Sequence, residues 1–375
     1  MPFCPRAPHM GRPLLAALLL LLALATVAPS SFVSASSLPG AAALAAQAPV
    51  WVLLDGSEPA AQLFAPGSGA LLARTASGLK RSDDGGATWR TVELPPRASF
   101  QRRIVVEIDP TDHTHLFANG EQGLYRSTDD AATWTLLSLP TRIGASIRDI
   151  AVSPADPSLV YLTTAPQESI GSTMWLHRSR DGGETWEMLQ EKHAGPSCGV
   201  GVYIFWPHPT DASRVYRQAG CFRDEPVNAR LEHSADQGAT WSYVTEPAFG
   251  AAMRMAGGHG AEPARFYLGT AVGGGSSQVF WSASGLGEWT FAHRFEGESV
   301  GAFAYDPRRP EHPYLGTSSG NVYRHVDGVQ HWERLSEQAL GRVYDLALGV
   351  DGANLFAATE QGVWRYLLTA PEPSQ

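Results

Sequence analysis

The sequence predicts an all-β, seven-bladed β-propeller of four-stranded antiparallel blades, with an N-terminal strand closing the last blade. Three observations carry that expectation. An eight-residue segment ending in tryptophan recurs six times, its tryptophans 45, 52, 55, 48 and 43 residues apart. Each copy sits among short apolar strands broken by Gly and Pro turns. Composition agrees: 38 Gly, 27 Pro and 11 Trp with only 17% charged residues suit a many-stranded, turn-rich chain.

The chain opens with a segment that does not belong to the fold. Arg6 and Arg12 precede the apolar run of residues 14–27, and Val33, Ser34 and Ala35 fit a small-residue cleavage site. A basic start, a short apolar stretch and a small-residue end make a secretory signal, expected over 1–35. The run is shorter than the roughly 20 residues of a spanning helix, so the membrane is expected to be met only if this segment stays uncleaved. An extracytoplasmic location follows as an expectation. Residues 36–48 read as a low-complexity linker, 49–367 as the propeller and 368–375 as a disordered tail.

The repeats come next. Four full copies are Ser82 to Trp89, Ser127 to Trp134, Ser179 to Trp186 and Ser234 to Trp241. Two worn copies run from Ser282 to Trp289 and from His325 to Trp332. The pattern is Ser-x-Asp-x-Gly-x-Thr-Trp. Before each copy stand three short strands, A to C, and after the tryptophan a fourth, D, so the motif falls in the C–D turn. There the carboxylates of Asp84, Asp129, Asp181, Asp236 and Asp327 are expected to accept turn amides. Gly86, Gly183 and Gly238 supply positive φ, and the tryptophans supply apolar area against the neighbouring sheet. Ala131 replaces the glycine of the second copy and Ser284 the aspartate of the fifth, which predicts weaker turns there.

Blades are expected at 61–94, 103–139, 147–190, 199–245, 251–293 and 300–335, with a seventh starting at Arg342 and ending at Tyr366. The seventh has three strands and no box. The orphan strand 49–54 is its expected partner, beside 362–366, so that both chain ends close the ring and cover free edges. A six-bladed ring requires the first or last unit to be something else.

These residues resemble the Asp-box (BNR) repeat of sialidases, sortilin-type receptors and photosystem II assembly factors, over residues 49–367. The resemblance implies that the boxes are structural and lie on the face opposite the ligand site. It also raises glycoside hydrolysis. Sialidase chemistry implies three arginines, a Tyr–Glu nucleophile pair and an acid; the Arg-Ile-Pro element is missing, with Arg103-Ile-Val and Arg142-Ile-Gly in its place. The two-propeller xyloglucanases are about twice this chain's size. The reading is therefore a non-enzymatic binding scaffold, whose most concrete form resembles a photosystem II assembly factor, with a sialidase-like or other glycoside hydrolase as the alternative.

Strand-A starts and B–C loops should share one mouth of the channel. Arg103, Arg148, Arg254 and Arg342 fall there and are the candidate ligand contacts, suiting an anionic peptide, polysaccharide or protein terminus; a solvated rim explains them equally. Glu107 and Asp345 lie on inner strands with no evident pairing. His113, His115 and His208 fall in A–B turns and read as surface residues, and the glycines at 273–275 as a flexible loop rather than a phosphate cradle. Cys198 and Cys221 flank a hairpin turning at Pro209 and face each other across it, an expected disulfide in an oxidising compartment, with free thiols as the alternative. No cofactor and no metal are expected. A net charge of −9 without a basic block disfavours nucleic acid, and a monomer is expected.

Overall fold

A computed structural model describes residues 50–65, 69–96, 105–139, 145–166, 173–193, 204–219, 230–244, 253–257, 265–286, 288–306, 309–326 and 331–368. Cys198, Cys221, Arg103, Asp327 and the segments 1–49 and 369–375 lie outside them.

The strand β1 (Trp51–Asp55) comes first and does not pair with its neighbour in sequence. The first blade is β2 (Ala60–Phe64), β3 (Leu71–Thr75), β4 (Leu79–Ser82) and β5 (Arg90–Val92). The second is β6 (Val106–Ile108), β7 (Leu116–Gly120), β8 (Gly123–Ser127) and β9 (Thr135–Leu136). The third is β10 (Ala145–Val152), β11 (Val160–Pro166), β12 (Thr173–Ser179) and β13 (Glu187–His193). The fourth is β14 (Ile204–Pro207), β15 (Val215–Ala219), β16 (Arg230–Ser234) and β17 (Ser242–Tyr243). The fifth is β18 (Met253–Gly257), β19 (Phe266–Val272), β20 (Ser276–Ser282) and β21 (Thr290–Phe295), and a short 3-10 turn at Gly273–Gly275 joins β19 to β20. The sixth is β22 (Val300–Asp306), β23 (Arg309–Thr317), β24 (Val322–Val326) and β25 (His331–Arg334). Three strands, β26 (Val343–Leu348), β27 (Asn354–Thr359) and β28 (Gly362–Leu367), complete the chain.

All seven sheets have four antiparallel strands, and the seventh has the order β1-β28-β27-β26. Trp51 pairs with Tyr366 and Val52 with Arg365, so the two ends of the fold share one blade, as the orphan strand predicted.

The core is a ring of seven interfaces rather than one centre. Strand B of each blade is buried on both sides, and its pleat sends alternate side chains to opposite neighbours. Leu116 and Ala118 pack with Leu72 and Leu79 of blade 1, whereas Phe117 between them packs with Ile150 and Leu162 of blade 3. The remaining interfaces are built alike. Tyr161 meets Phe205, Tyr216 meets Phe266, Tyr267 meets Leu315, and Tyr314 meets Leu346. The last cluster joins Phe356 and Val363 of blade 7 to Leu63 and Leu71 of blade 1, and the circle closes.

Each box tryptophan lies in the interface with the preceding blade: Trp134 against blade 1, Trp186 against blade 2, Trp241 against blade 3. The box turns are alike in detail. Ser179 Oγ accepts the Gly183 amide at 2.7 Å and donates to Asp181 Oδ1 at 2.7 Å. Asp181 in turn accepts the Thr185 amide at 2.8 Å and its hydroxyl at 2.5 Å.

The second copy lacks the glycine and carries backbone strain in its place. Its turn keeps the same bonds around Ser127 and Asp129, because Asp130 and Ala131 adopt φ of 60° and 65°. The fifth copy does lose the carboxylate clamp: Ser282 Oγ accepts the Ser284 and Gly285 amides, and among the described residues Ser284 Oγ accepts the Leu286 amide alone.

Candidate functional site: the channel axis and its two mouths

Strand direction fixes the two faces. A–B and C–D turns fall at one end of every blade, and three pairs are bonded together there: Asp130 to Thr114, Gly182 to Ser158 and Gln237 to Ser213. B–C turns and blade connections occupy the other end.

On the first face the box carboxylates are committed to the fold. Bonds from the Thr88 hydroxyl and amide, then from Ser82, pull Asp84 down to about 2. Asp236 is held at about 2 by Thr240 and Ser234 in the same way, and Asp129 and Asp181 are lowered likewise. A carboxylate so stabilised as an anion is a poor proton donor or acceptor near neutrality.

The arginine before the box serine in the first three copies has a role that sequence reading missed. Arg81 forms an ion pair with Asp130 of the next blade's box. Arg126 donates to the Gly182 carbonyl at 2.7 Å and pairs with Glu184. Arg178, 3% exposed, donates to the Gln237 carbonyl at 2.5 Å. The signal was visible as a basic residue recurring at one place in the repeat; the inter-blade reach was not.

On the axis lies a cavity of about 500 Å³ to which strand A of every blade contributes. Glu107, Asp149 and Gln62 belong to its lining. Burial, then the negative charges of Asp149 and Asp345, push the Glu107 carboxyl well above the usual carboxylate range. The structure thus brings Glu107 and Asp345 to a common axis with Asp149, which the sequence had not singled out.

The two aspartates occupy one register position, opposite Thr163 and Ala358 of strand B, each beside a bulge in its strand. Both reach across to the next blade. Asp149 Oδ2 accepts the Phe205 amide at 3.1 Å, and Asp345 Oδ2 accepts the Leu63 amide at 2.9 Å. Bulges re-aim side chains in this way.

The candidate cations are spread over this end of the ring. Arg148 stands in the β10 bulge, half-buried, and Arg342 is exposed just before β26. Arg254 pairs with Gly269, the register that Asp149 and Asp345 hold in their blades. His208 differs from expectation. It lies in an A–B turn but is buried, its ring 5.1 Å from that of Phe266, and its Nδ1 accepts the Thr210 and Asp211 amides.

A Tyr–Glu couple does exist, in blade 6, where Tyr323 donates to Glu298 Oε1 at 3.0 Å. Glu298 also accepts from Thr317 and Asn321, which ties it to the adjacent B–C turn. Burial and the Glu298 charge push Tyr323 up to about 12, the opposite of the lowered value a phenolate nucleophile requires. Among the described residues no group of three or more His, Cys, Asp or Glu side chains is placed to hold a metal ion.

Comparison with known proteins agrees with this architecture. Residues 77–201, a third of the chain, match the family model described as sortilin, neurotensin receptor 3 (Sortilin-Vps10). No curated protein matches. Among solved structures, the GH74 xyloglucanase from Xanthomonas campestris is similar with a TM-score of 0.62 and 19% identity, over 87% of this chain. This chain spans only 55% of that enzyme. YCF48 bound to D1 peptide is similar with a TM-score of 0.57 and 16% identity, over 86% of this chain and 97% of that one. YCF48 from Cyanidioschyzon merolae gives 0.56 at 13% identity, covering 84% and 98%. At these identities the likeness establishes the fold, and the resemblance to Asp-box propellers holds.

Proposed function

We propose that this chain is a non-enzymatic, extracytoplasmic scaffold that binds a segment of another protein at the face opposite its Asp boxes. One observation carries the reading: the described box carboxylates, together with Asp149 and Asp345, spend their bonds on turn and inter-blade amides, so they serve the scaffold rather than a reaction. A ring stapled in that way presents its connections on a rigid frame, where recognition usually resides. The full-length likeness to a YCF48 structure that holds a D1 peptide supports a peptide ligand. Arg148 and Arg342 give the ligand face cations for an anionic segment. A role like that of a photosystem II assembly factor fits if the source is photosynthetic.

The test is capture of a partner from the exported fraction by proximity labelling, with Arg148→Glu/Arg342→Glu beside the wild type. The reading expects at least one protein lost by the double variant. An identical set of captured proteins from both would refute it.

A second reading has a specific observation behind it. Glu107, its carboxyl held well above the usual carboxylate range beside an aspartate in a cavity, fits the arrangement of a general acid next to an ionised carboxylate. The likeness to a GH74 xyloglucanase points the same way. Turnover of fluorogenic glycosides or xyloglucan oligosaccharides, abolished by Glu107→Gln, would establish it and displace the scaffold reading.

A further inference from the structure

The axial cavity does not open where a ligand is expected from the boxes. Its rim includes Pro110, Pro154 and Pro209, all in A–B turns, and these turns stand on the same face as the Asp boxes. Its aromatic wall includes Trp206, Phe303 and Tyr305, and Glu107 sits at depth on β6. A volume of about 500 Å³ is that of a small-molecule or side-chain pocket.

Glu107 differs from its acidic neighbours in one respect. Asp149 and Asp345 each accept a backbone amide from the next blade. Glu107 has no hydrogen-bond partner among the described residues, although it is enclosed by the ring and lines the cavity. A half-buried carboxyl that lines a cavity without a described partner has its oxygens available to a visitor. The charges that act on it are those of Asp149 on β10 and Asp345 on β26, which hold a different register position of strand A.

The geometry points to a second binding site, on the Asp-box face, for a cationic group on an apolar stem: an ammonium or guanidinium that pairs with Glu107 while its stem lies against the aromatic wall. The chemistry is selective. A cation that displaces the proton of Glu107 gains a charge-assisted bond to it, attraction from the two aspartates and apolar contact with Trp206, Phe303 and Tyr305. An anion is repelled by the two aspartates, and a neutral molecule of the same shape gains only the apolar contact. This site lies at the other end of the channel from the proposed protein-binding face and does not depend on that reading.

The test is calorimetric titration of the full propeller at neutral pH with benzamidine, a cation, and benzamide, its neutral isostere. Benzamidine should bind about tenfold or more tightly than benzamide. Glu107→Gln should remove that preference, and Glu107→Asp, which keeps a carboxyl able to give up its proton to a bound cation, should retain part of it. Arg148→Glu/Arg342→Glu, at the opposite face, should bind benzamidine as the wild type does, so this result stands apart from partner capture.

Two further titrants identify the source of the cation. If agmatine and an acetyl-Gly-Arg-Gly amide peptide both bind, the site takes a protein's side chain; if only agmatine binds, it takes a free amine. Equal binding of benzamidine and benzamide, no binding of either, or a preference undiminished in a folded Glu107→Gln protein would overturn the proposal.

Discussion

Trp51 is the residue on which ring closure can be tested most directly. It is 4% exposed, lies 5.2 Å from Tyr366 between ring centroids, and packs in the interface of blades 6 and 7 with Ala302, Tyr314 and Leu346. Three residues on, at a bulge, Leu54 lies in the interface of blade 7 with blade 1, beside Trp89 and Leu63. One short strand therefore closes the last blade and seals both of its interfaces. A buried tryptophan takes about 150–250 Å² out of water, which at about 25 cal/mol per Å² is ~4–6 kcal/mol as an upper bound. Trp51→Ala should accordingly cost about 3–5 kcal/mol. Val52, on the same strand but 45% exposed, keeps the same backbone pairing to Arg365, and Val52→Ala should cost about 0.5 kcal/mol or less. Urea unfolding of both variants measures the difference, and limited proteolysis reports whether the first strand detaches before the ring unfolds. A Trp51→Ala protein within about 1 kcal/mol of Val52→Ala would show that the closing strand is dispensable, and the closure argument would fail.

Two further outcomes follow from the turns and the axis. Ser179→Ala removes the hydroxyl that holds the Gly183 amide and should destabilise by about 1–3 kcal/mol, whereas Ser284→Ala, in the copy without a carboxylate clamp, should stay within about 0.5 kcal/mol. Denaturant midpoints compare the two. The second outcome is a pair of opposite pH dependences. Asp84 and Asp236 are lowered in the fold, so they contribute stability that is present above the unfolded carboxylate range and is lost as pH falls towards 2. Glu107 is raised, so the folded protein holds its proton more tightly than the unfolded chain. Its contribution is complete in acid and is lost as pH rises through the folded value. Glu107→Gln should therefore melt higher than the wild type in mild base and level with it near pH 4; a difference that does not change with pH would contradict the assigned environment.

Much of this was written locally. The box supplies its own partners within eight residues, as when Ser179 and Asp181 saturate the turn to Trp186. A repeat of such turns sets where strands C and D begin and end. The strand 51–55 could be matched to the three-stranded last blade because an unpaired edge has to be covered, so the closure was legible by counting. Even the loss of the clamp at Ser284 could be read from one substituted residue. The local reading went too far at His208, which the ring buries between aromatic side chains.

The sequence alone therefore determined the repeat, the number of blades and the residues that shape each turn, because those depend on bonds and pleats between near neighbours. The tertiary structure alone decided what meets on the axis. Glu107, Asp149 and Asp345 belong to blades 2, 3 and 7, and only closure of the ring brings their charges together. The same holds for Arg81, Arg126 and Arg178, whose partners lie about fifty residues away in the next blade. Charge coupling acts through space, and in a closed ring the spacing of residues along the chain says little about their distance across the channel.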